Sequence, residues 1–318
     1  AMAELGIVTV SYNTRDLLGC CLESVRASLD RSGLQAQVIV VDNASGDGSA
    51  DLVRERFVWL QLLANEHNCG FAAASNQGLR ALGWPDGGPP LALLLNPDTV
   101  VQGAALAELV AFMRAAPRAG AAGARLVYED GRFQHSAFRF PTLPMAFLDF
   151  FQPHHRLLDT ALNGRYPRRL YQRGEPFAID HPLGATLMVR REAAAQVGLL
   201  DEGFFMYCEE IDWCRRLKKA GWGIYCVPRA EIVHYGGQST RQFREAMFVA
   251  LWRSRYRLFA KHEGQLYRWL VARIVAAGLA QEERRVRRSA REGRLDAEAA
   301  AHRLSAFAEV RRLGREAG

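Results

Sequence analysis

Short apolar runs alternate with amphipathic helical patterns through the first third of the chain, and this alternation restricts the chain to few folds. The runs are GIVTVSYN, QVIVVDN, VWLQLLAN and LALLLNPD. Apolar runs of this length that stop at a turn signal are typical of strands buried on both faces of a sheet. Strands that alternate with helices form crossover connections. We therefore predict an α/β fold with a mostly parallel central sheet and helices on both faces.

Each run is followed at its end, or within the polar turn after it, by asparagine or aspartate. These polar ends are Asn13, Asp42, Asn43, Asn68, Asn96 and Asp98. One such residue alone is explained as a turn or a helix cap. Because ligands bind beyond the carboxyl ends of parallel strands, the repetition predicts a lined pocket at one edge of the sheet. Asparagine and aspartate supply hydrogen-bond acceptors for a ribose or a base, and the neighbouring backbone amides can meet phosphate oxygens.

Several common nucleotide and metal motifs are missing from the sequence. The first run is not followed by G-x-G-x-x-G, and G-x-x-x-x-G-K-[ST] does not occur, so the predicted pocket is neither a nicotinamide site nor an ATPase. The six cysteines lack the paired C-x-x-C spacing of a zinc site, and we expect a reduced, intracellular chain. No apolar stretch is long enough to span a bilayer.

A second cluster of polar residues lies in DEGFFMYCEEIDWCRRLKKAG, where aromatic residues precede Glu209, Glu210 and Asp212. The stretch predicts a helix with acids in its first turn and bases in its last, which suits the helix dipole and by itself explains the acids. Alternatively, the aromatic residues desolvate one carboxylate and raise its pKa towards that of a general base. A strand-like run then ends at His234, which is either a structural histidine or a metal ligand.

The segment from about residue 119 to 180 has little periodicity. The stretch RLVYEDGRFQ predicts a hairpin. The remainder is rich in arginine, histidine and aromatic residues, and it is either a lid or acceptor loop or an ordinary surface insertion.

The ordered motifs VTVSYN, VIVVDNAS, NCGFAAASNQG, LLLNPD, GATLMVRR, DEGFFMYCEEIDWCRRLKKAGW and VHYGG resemble the inverting family 2 glycosyltransferases. Among these, the chain looks most like bacterial rhamnosyltransferases that build surface polysaccharides. The resemblance implies a GT-A catalytic domain over residues 1–240, with a nucleotide-binding half to about residue 100 and an acceptor half over 101–240. A basic helical extension over 241–318 would follow.

The resemblance also implies roles for individual residues. A nucleotide-diphosphate sugar would be bound by Ser11, Tyr12, Asn13, Asp42, Asn43, Ser45, Asn68, Gly70, Phe71, Asn76, Asn96 and Gly184. Asp98 and His234 would bind Mg²⁺ or Mn²⁺ at the diphosphate, although Asn96 replaces the first acid of the family's D-x-D motif. Glu210 stands where the family has its catalytic-base aspartate, with Glu209 as a rival and Asp212 as a third candidate.

The implied reaction is metal-dependent, inverting transfer of a hexosyl group. The favoured donor is dTDP-L-rhamnose, and the acceptor is a polyprenyl-diphosphate-linked saccharide in cell-surface polysaccharide synthesis. A UDP-sugar donor is an alternative. So is a sugar nucleotidyltransferase, which would need a glycine-rich basic signature near the N-terminus, and VTVSYNTRD lacks one.

The net charge of +7 is concentrated near the C-terminus, where residues 241–280 hold eight Arg or Lys against two Glu. On a helix, one face would carry Phe248, Trp252, Tyr256 and Phe259, and the opposite face Arg253, Arg257 and Lys261. This pattern suits a helix on an anionic membrane, or a helix packed on the catalytic domain with a solvated basic face. Nucleic acid would explain the basic residues but not the polar strand ends. We predict no nucleic-acid partner, a peripheral position on the inner face of the cytoplasmic membrane, and self-association through the last helices.

Overall fold

A computed structural model describes residues 3–236 and 244–317. The chain forms two compact units, one of residues 3–139, 166–205 and 209–236 and the other of residues 140–165, 206–208 and 244–317. The first unit contains the sheet, and the second is helical. Residues 140–165 cluster with the C-terminal helices, so the helical unit is not one continuous stretch. The predicted boundary at residue 240 and the Gly237 of VHYGG lie outside the described residues, and the boundary stays a prediction.

The strands are short and all belong to the first unit. They are β1 (Leu5–Ser11), β2 (Ala36–Asp42), β3 (Gln61–Ala64), β4 (Leu91–Leu95), β5 (Thr99–Val101), β6 (Ala119–Val127), β7 (Phe133–Gln134), β8 (Ala137–Phe138), β9 (Phe177–Ala178), β10 (His181–Pro182), β11 (Thr186–Arg190) and β12 (Gly223–His234). Its helices are α1 (Arg15–Ser32), α2 (Ser49–Arg56), α3 (Phe71–Ala81), α4 (Ala105–Ala115), α6 (Arg168–Gln172), α7 (Arg191–Val197) and α8 (Glu209–Lys219).

The described residues place ten of these strands in one sheet, in the order β3-β2-β1-β4-β11-β6-β12-β5, with β7 on β6 and β9 on β12. The first four strands of the chain pair in parallel. β11 runs antiparallel between β4 and β6. The predicted α/β architecture is confirmed, and so is the predicted hairpin, which β6 and β7 form.

Every residue of β1 and β4 is buried, as the apolar runs predicted. On one face, α1 and α4 contribute Val25, Leu106 and Met113 to a core with Leu93 of β4. α3 approaches β1 closely because it has glycine at the contact: a Cβ on Gly78 would lie 2.4 Å from Val8 Cγ1. Close packing on both faces holds the strand ends rigidly, and full burial of one such aliphatic side chain contributes about 1.5–3 kcal/mol.

Strand β5 was not predicted from the sequence. β5 follows β4 after a short turn and pairs antiparallel with the end of β12, where Thr99 lies opposite His234. Three residues are too few to show strand periodicity in the sequence. The pairing matters because it brings the turn after β4 to the last residue of β12.

The helical unit contains α5 (Leu143–Leu148), α9 (Arg244–His262), α10 (Gln265–Arg291), α11 (Ala297–Ala317) and the 3₁₀ turns His155–Asp159 and Ala161–Asn163. Trp252, Tyr256 and Phe259 of α9 are buried in its core together with Val275 and Val310. This aromatic face is therefore buried within the helical unit and is not available to a membrane. Among the described residues, no helix has both the length and the hydropathy that crossing a bilayer requires.

Candidate active site

The predicted polar strand ends meet at one edge of the sheet. Ser11 lies opposite Asp42 at the last pair of β1 and β2, and Asp42 lies opposite Ala64 at the last pair of β2 and β3. β4 lies beside β1 in the same direction. The loops that follow these parallel strands therefore form one polar rim, which is where an α/β sheet binds its ligands.

Asp42 offers a free acceptor at this rim. One of its carboxylate oxygens accepts a hydrogen bond from Ser45 N (3.0 Å). The other, Oδ1, is buried and has no hydrogen-bond partner within the part of the chain that the structure describes. Asn13 is hydrogen-bonded to the loop that follows β2. Its N–H donates to Ser45 Oγ (3.0 Å) and its Oδ1 accepts from Gly46 N (2.8 Å). A buried acceptor left open suits a donor on a ligand, such as a ribose hydroxyl or a base N–H.

Asn43 and Asn68 differ from Asp42, because protein groups occupy their amides. Asn43 Nδ2 donates to Asn68 Oδ1 (2.8 Å) and to Gly70 O (3.3 Å), while Asn43 Oδ1 accepts from Cys69 N (3.1 Å). Asn68 Oδ1 also accepts from Gly70 N (2.9 Å). The Asn43 amide thus stabilises the loop before α3, and its predicted contact with the nucleotide stays a prediction.

The start of α3 and Asn76 attach this loop to residues 200–205. Gly70 has a φ of 86°, and a Cβ there would lie 2.5 Å from Phe205 O, so only glycine fits. Phe71 N donates to Phe205 O (2.7 Å). Asn76 Nδ2 donates to Leu200 O (2.9 Å), and Leu200 N donates back to Asn76 Oδ1 (3.1 Å). These residues shape the rim, and both amide groups of Asn76 are hydrogen-bonded within the protein.

Asp98 and His234 form a buried pair at the neighbouring strand ends. The turn after β4 holds Asp98, whose carbonyl accepts from Tyr235 N (3.0 Å). Its Oδ1 lies 3.5 Å from His234 Nε2, and both side chains are buried. Burial raises the pKa of Asp98, and the charge of His234 partly offsets this. Burial lowers the pKa of His234, so its imidazole is neutral at pH 7 and has a lone pair to offer.

Glu210 lies at the same edge as Asp98. Asn96 N, at the end of β4, donates to Ala185 O (3.0 Å). The preceding residue is Gly184, where a Cβ would lie 3.6 Å from Glu210 Cδ, so the carboxyl group packs against this glycine. Glu210 is half-buried, and burial raises its pKa from the ordinary 4.5 to about 7.

The other two acids of α8 have different surroundings. Glu209 is buried, and its Oε2 finds no hydrogen-bond partner among the residues described. Burial, together with the charge of Glu210, raises its pKa well above the ordinary value. Asp212 is fully buried and accepts from Arg216 Nε (2.8 Å). This ion pair occupies one carboxylate oxygen of Asp212, and its candidacy as the base stays a prediction.

A match to the family described as Glycosyl transferase family 2 covers residues 6–198 of the chain. The chain belongs to this family. The N-acetylglucosaminyl-diphospho-decaprenol L-rhamnosyltransferase of Mycobacterium tuberculosis is 30% identical over 277 residues, which cover 82% of this chain and 85% of that protein. Rhamnosyltransferase WbbL of Escherichia coli K12 is 35% identical over 83 residues, 26% of this chain and 31% of that protein.

A solved structure confirms the fold of this glycosyltransferase. Mannosyltransferase PcManGT from Pyrobaculum calidifontis, in complex with GDP-Man and Mn²⁺, superimposes with a TM-score of 0.57 at 16% identity, over 99% of this chain and 87% of that one. The family 2 glycosyltransferase therefore has the predicted GT-A-like sheet followed by C-terminal helices. It is an enzyme of the hexosyltransferase class, resembling bacterial rhamnosyltransferases.

The donor atoms at Asp98 and His234 fit a divalent cation. Neighbouring ligands of an octahedral ion with bonds of about 2.1 Å lie about 3 Å apart, close to the 3.5 Å between Asp98 Oδ1 and His234 Nε2. No group of three or more His, Cys, Asp or Glu residues able to hold a metal occurs within residues 3–236 and 244–317. Two protein ligands suffice for Mg²⁺ when substrate phosphates and water complete the site.

Gln134, beside this pair, was not predicted from the sequence. Gln134 Oε1 lies 3.2 Å from His234 Nδ1, although the two residues are 100 positions apart. Gln134 ends β7, a two-residue strand without a recognisable pattern. Only the paired strands of the sheet bring the two side chains together.

Proposed function

We propose that this glycosyltransferase moves L-rhamnose, with inversion, from dTDP-L-rhamnose to a polyprenyl-diphosphate-linked saccharide in cell-surface polysaccharide synthesis. The observation that carries the proposal is the carboxyl group of Glu210, whose pKa is raised to about 7, at the same sheet edge as Asp98 and His234. The choice of sugar and acceptor is supported by the mycobacterial relative, whose name specifies an L-rhamnosyltransferase acting on N-acetylglucosaminyl-diphospho-decaprenol.

In the proposed mechanism, Asp98 and His234 hold Mg²⁺ or Mn²⁺. The cation, when bound, neutralises the charge that develops on the diphosphate leaving group. Asp42 Oδ1 accepts a hydrogen bond from the nucleoside, and the loop of Asn13 and Ser45 keeps this carboxylate in place. Thymine and uracil both carry a ring N–H that could donate to Asp42 Oδ1, so this hydrogen bond fits a UDP-sugar as well. The preference for dTDP-L-rhamnose therefore rests on the relatives.

Glu210 acts as the general base. The acceptor hydroxyl attacks the anomeric carbon from the face opposite the diphosphate and gives its proton to Glu210 as the new C–O bond forms and the bond to the diphosphate breaks. A single displacement of this kind inverts the anomeric centre. A pKa near 7 suits a base that must be ionised at neutral pH yet still accept a proton, and general-base catalysis is worth about 10²–10⁴ in rate.

We further propose that the enzyme works on the inner face of the cytoplasmic membrane, through the outer surface of the helical unit. An apolar groove of about 380 Å³ lies between α5, the 3₁₀ turns and α10, lined by Leu143, Pro144, Phe147, Leu148, Pro153, Leu157, Leu162 and Ile274. Leu266 and Trp269 of α10 are 71% and 49% exposed. Exposed arginines, including Arg284 and Arg288, follow on the same helix and complement an anionic surface.

The membrane contact was predicted for residues 241–280. We now propose the exposed residues of α10, rather than the aromatic face of α9, as this contact. Peripheral binding needs both buried apolar area and electrostatic attraction, and α10 offers both. Self-association through the C-terminal helices stays a prediction.

A thermal-shift panel tests the donor and the cation together. The full chain is heated with dTDP-L-rhamnose or UDP-sugars, each with and without Mn²⁺ or Mg²⁺. We expect the largest stabilisation from dTDP-L-rhamnose with a divalent cation, because a ligand that binds only the folded state stabilises it by mass action. Stronger stabilisation by a UDP-sugar would reassign the donor. Indifference to every nucleotide would contradict the proposal, and a sugar nucleotidyltransferase would instead respond to a nucleoside triphosphate.

A further inference from the structure

Gln134, which was not singled out from the sequence, contacts His234 of the buried Asp98–His234 pair. β7 pairs with β6 through Leu126 and Gln134, and β12 lies on β6 with Ile232 opposite the same Leu126. The Gln134 side chain reaches His234 across the end of β6, and its Oε1 lies 3.2 Å from Nδ1. The other ring nitrogen, Nε2, faces Asp98 at 3.5 Å.

This arrangement determines which ring nitrogen can bind a cation. An imidazole nitrogen binds a metal only when it carries no proton. Because Nε2 faces Asp98, it is the nitrogen that shares a cation with this carboxylate, and the ring proton must then lie on Nδ1. That N–H needs an acceptor, which Gln134 Oε1 supplies. Histidine ligands commonly donate their second N–H in this way, and losing the acceptor costs about 10–100-fold in metal affinity.

A glutamine can also serve the opposite tautomer. Without a cation, Nε2–H donates to Asp98, and Nδ1 is then the acceptor. Rotation of the Gln134 amide by half a turn presents Nε2 instead of Oε1, so the same residue donates to Nδ1. A glutamate at this position could accept only, and an apolar side chain could do neither.

We infer that Gln134 is a positioning residue. It orients the His234 ring and hydrogen-bonds Nδ1 in either tautomer, so that Nε2 is free for the cation when the diphosphate arrives. The inference rests on the proposed function, since it assumes that Asp98 and His234 hold the cation. It assigns Gln134 no contact with the substrate.

The test measures Mn²⁺ affinity of the full chain in the presence of saturating dTDP, from the electron paramagnetic resonance signal of free Mn²⁺. Gln134→Met keeps the length of the side chain but has no acceptor, and we expect it to weaken Mn²⁺ binding about 10–100-fold. Gln134→Glu retains an acceptor, and we expect it to bind Mn²⁺ at least as tightly as the wild type. Gln61→Met, at an exposed glutamine on β3, is the matched control and leaves the affinity unchanged.

The Glu variant separates positioning from packing, because a merely structural role would not be rescued by a carboxylate. Mn²⁺ affinity of Gln134→Met within twofold of the wild type would overturn the inference, as would equal losses in the Met and Glu variants. If Gln134→Met does not fold, Gln134→Asn is too short to reach Nδ1 and replaces it. Absence of Mn²⁺ binding in the wild type, or unchanged binding in His234→Ala, would instead refute the cation site of the proposed function.

Discussion

The amides that follow β2 and β3 and the acids that follow β4 and begin α8 lie at the same edge of the sheet, but their surroundings differ. Asn43 and Asn68 bind each other and the loop before α3. Glu209 keeps an unpartnered oxygen within the described part of the chain, and burial raises the pKa of Asp98 and of Glu210. The Asn43 amide and the amide oxygen of Asn68 are hydrogen-bonded within the part of the protein that the structure describes, whereas the Glu209 carboxyl is not fully satisfied there. We therefore expect the amides to stabilise the rim and the acids Asp98 and Glu210 to take part in the chemistry.

The largest effect should come from the acid assigned as base. Glu210→Gln preserves shape but cannot accept the proton, so we expect kcat to fall about 10²–10⁴-fold while the Kd for dTDP-L-rhamnose stays the same. Glu209→Gln is the matched control, because it makes the same change at the neighbouring buried acid of the same helix, and it should keep most of the activity. Steady-state kinetics and calorimetric donor binding measure both. A larger loss in Glu209→Gln than in Glu210→Gln would exchange their roles.

The next prediction compares an acid with an amide, and we expect the acid variant to lose activity and the amide variant to lose stability. Asp98→Asn removes the carboxylate of the cation site, and we expect about a 10²-fold loss of kcat that added Mn²⁺ does not restore. Asn43→Ala should instead lower the free energy of unfolding by about 1–3 kcal/mol, since it leaves buried partners unsatisfied. Its KM for the donor should change little. A donor KM raised tenfold or more in Asn43→Ala would show that Asn43 contributes to nucleotide binding.

The pH dependence follows from the raised pKa of Glu210. The base must be ionised, so kcat should rise with pH and level off above about pH 7. Stability should change in the opposite direction. Between pH 4.5 and 7 the folded chain binds more protons at Glu210 than the unfolded chain does, so the free energy of unfolding falls as pH rises through this window.

Glu210→Gln removes this titrating group and serves as the control for both profiles. Thermal melts of the wild type and the variant from pH 4.5 to 8 should diverge with rising pH, as the wild type loses stability that the variant keeps. Parallel melting curves would show that Glu210 titrates at its ordinary value.

Features that depend on neighbouring residues in the sequence could be predicted, whereas contacts between residues distant in the sequence could not. The apolar runs of β1 to β4 and the helix at Glu209 are local patterns, and they were predicted correctly. Whether Asn43 binds a ligand or the protein depends on Asn68 and Cys69, which fold back onto it. Gln134 reaches His234 only through strand pairing, which leaves no local signal.

The same limit applies to the C-terminal helices. The aromatic stripe of α9 is equally compatible with a membrane and with a protein core, because both partners are apolar. Only the folded helical unit shows Trp252 and Phe259 buried against Val275. The backbone before α8 is another example, since Tyr207 and Cys208 adopt positive φ values of 70° and 68° that neither residue type suggests.

The smallest predicted effect concerns the membrane surface. Trp269→Ser should weaken binding to anionic phosphatidylglycerol vesicles about fivefold, since burying a partly exposed apolar side chain contributes about 1 kcal/mol. Val58→Ser, at an 84% exposed valine of the sheet unit, is the control and should bind as the wild type does. Co-sedimentation measures both, with neutral vesicles as a second control. Equal losses of vesicle binding in the two variants would contradict the proposal that α10 contacts the membrane.

The central claim is that Glu210 drives a single inverting displacement at the sheet edge where Asp98 and His234 lie. The most direct measurement is the anomeric configuration of the product, determined by NMR after incubation of the full chain with dTDP-L-rhamnose, a short-chain N-acetylglucosaminyl-diphospho-polyprenol and Mn²⁺. We predict a rhamnosylated product of inverted configuration from the wild type and from Glu209→Gln, and none above background from Glu210→Gln. A product of retained configuration, or transfer by Glu210→Gln at the wild-type rate, would contradict the account.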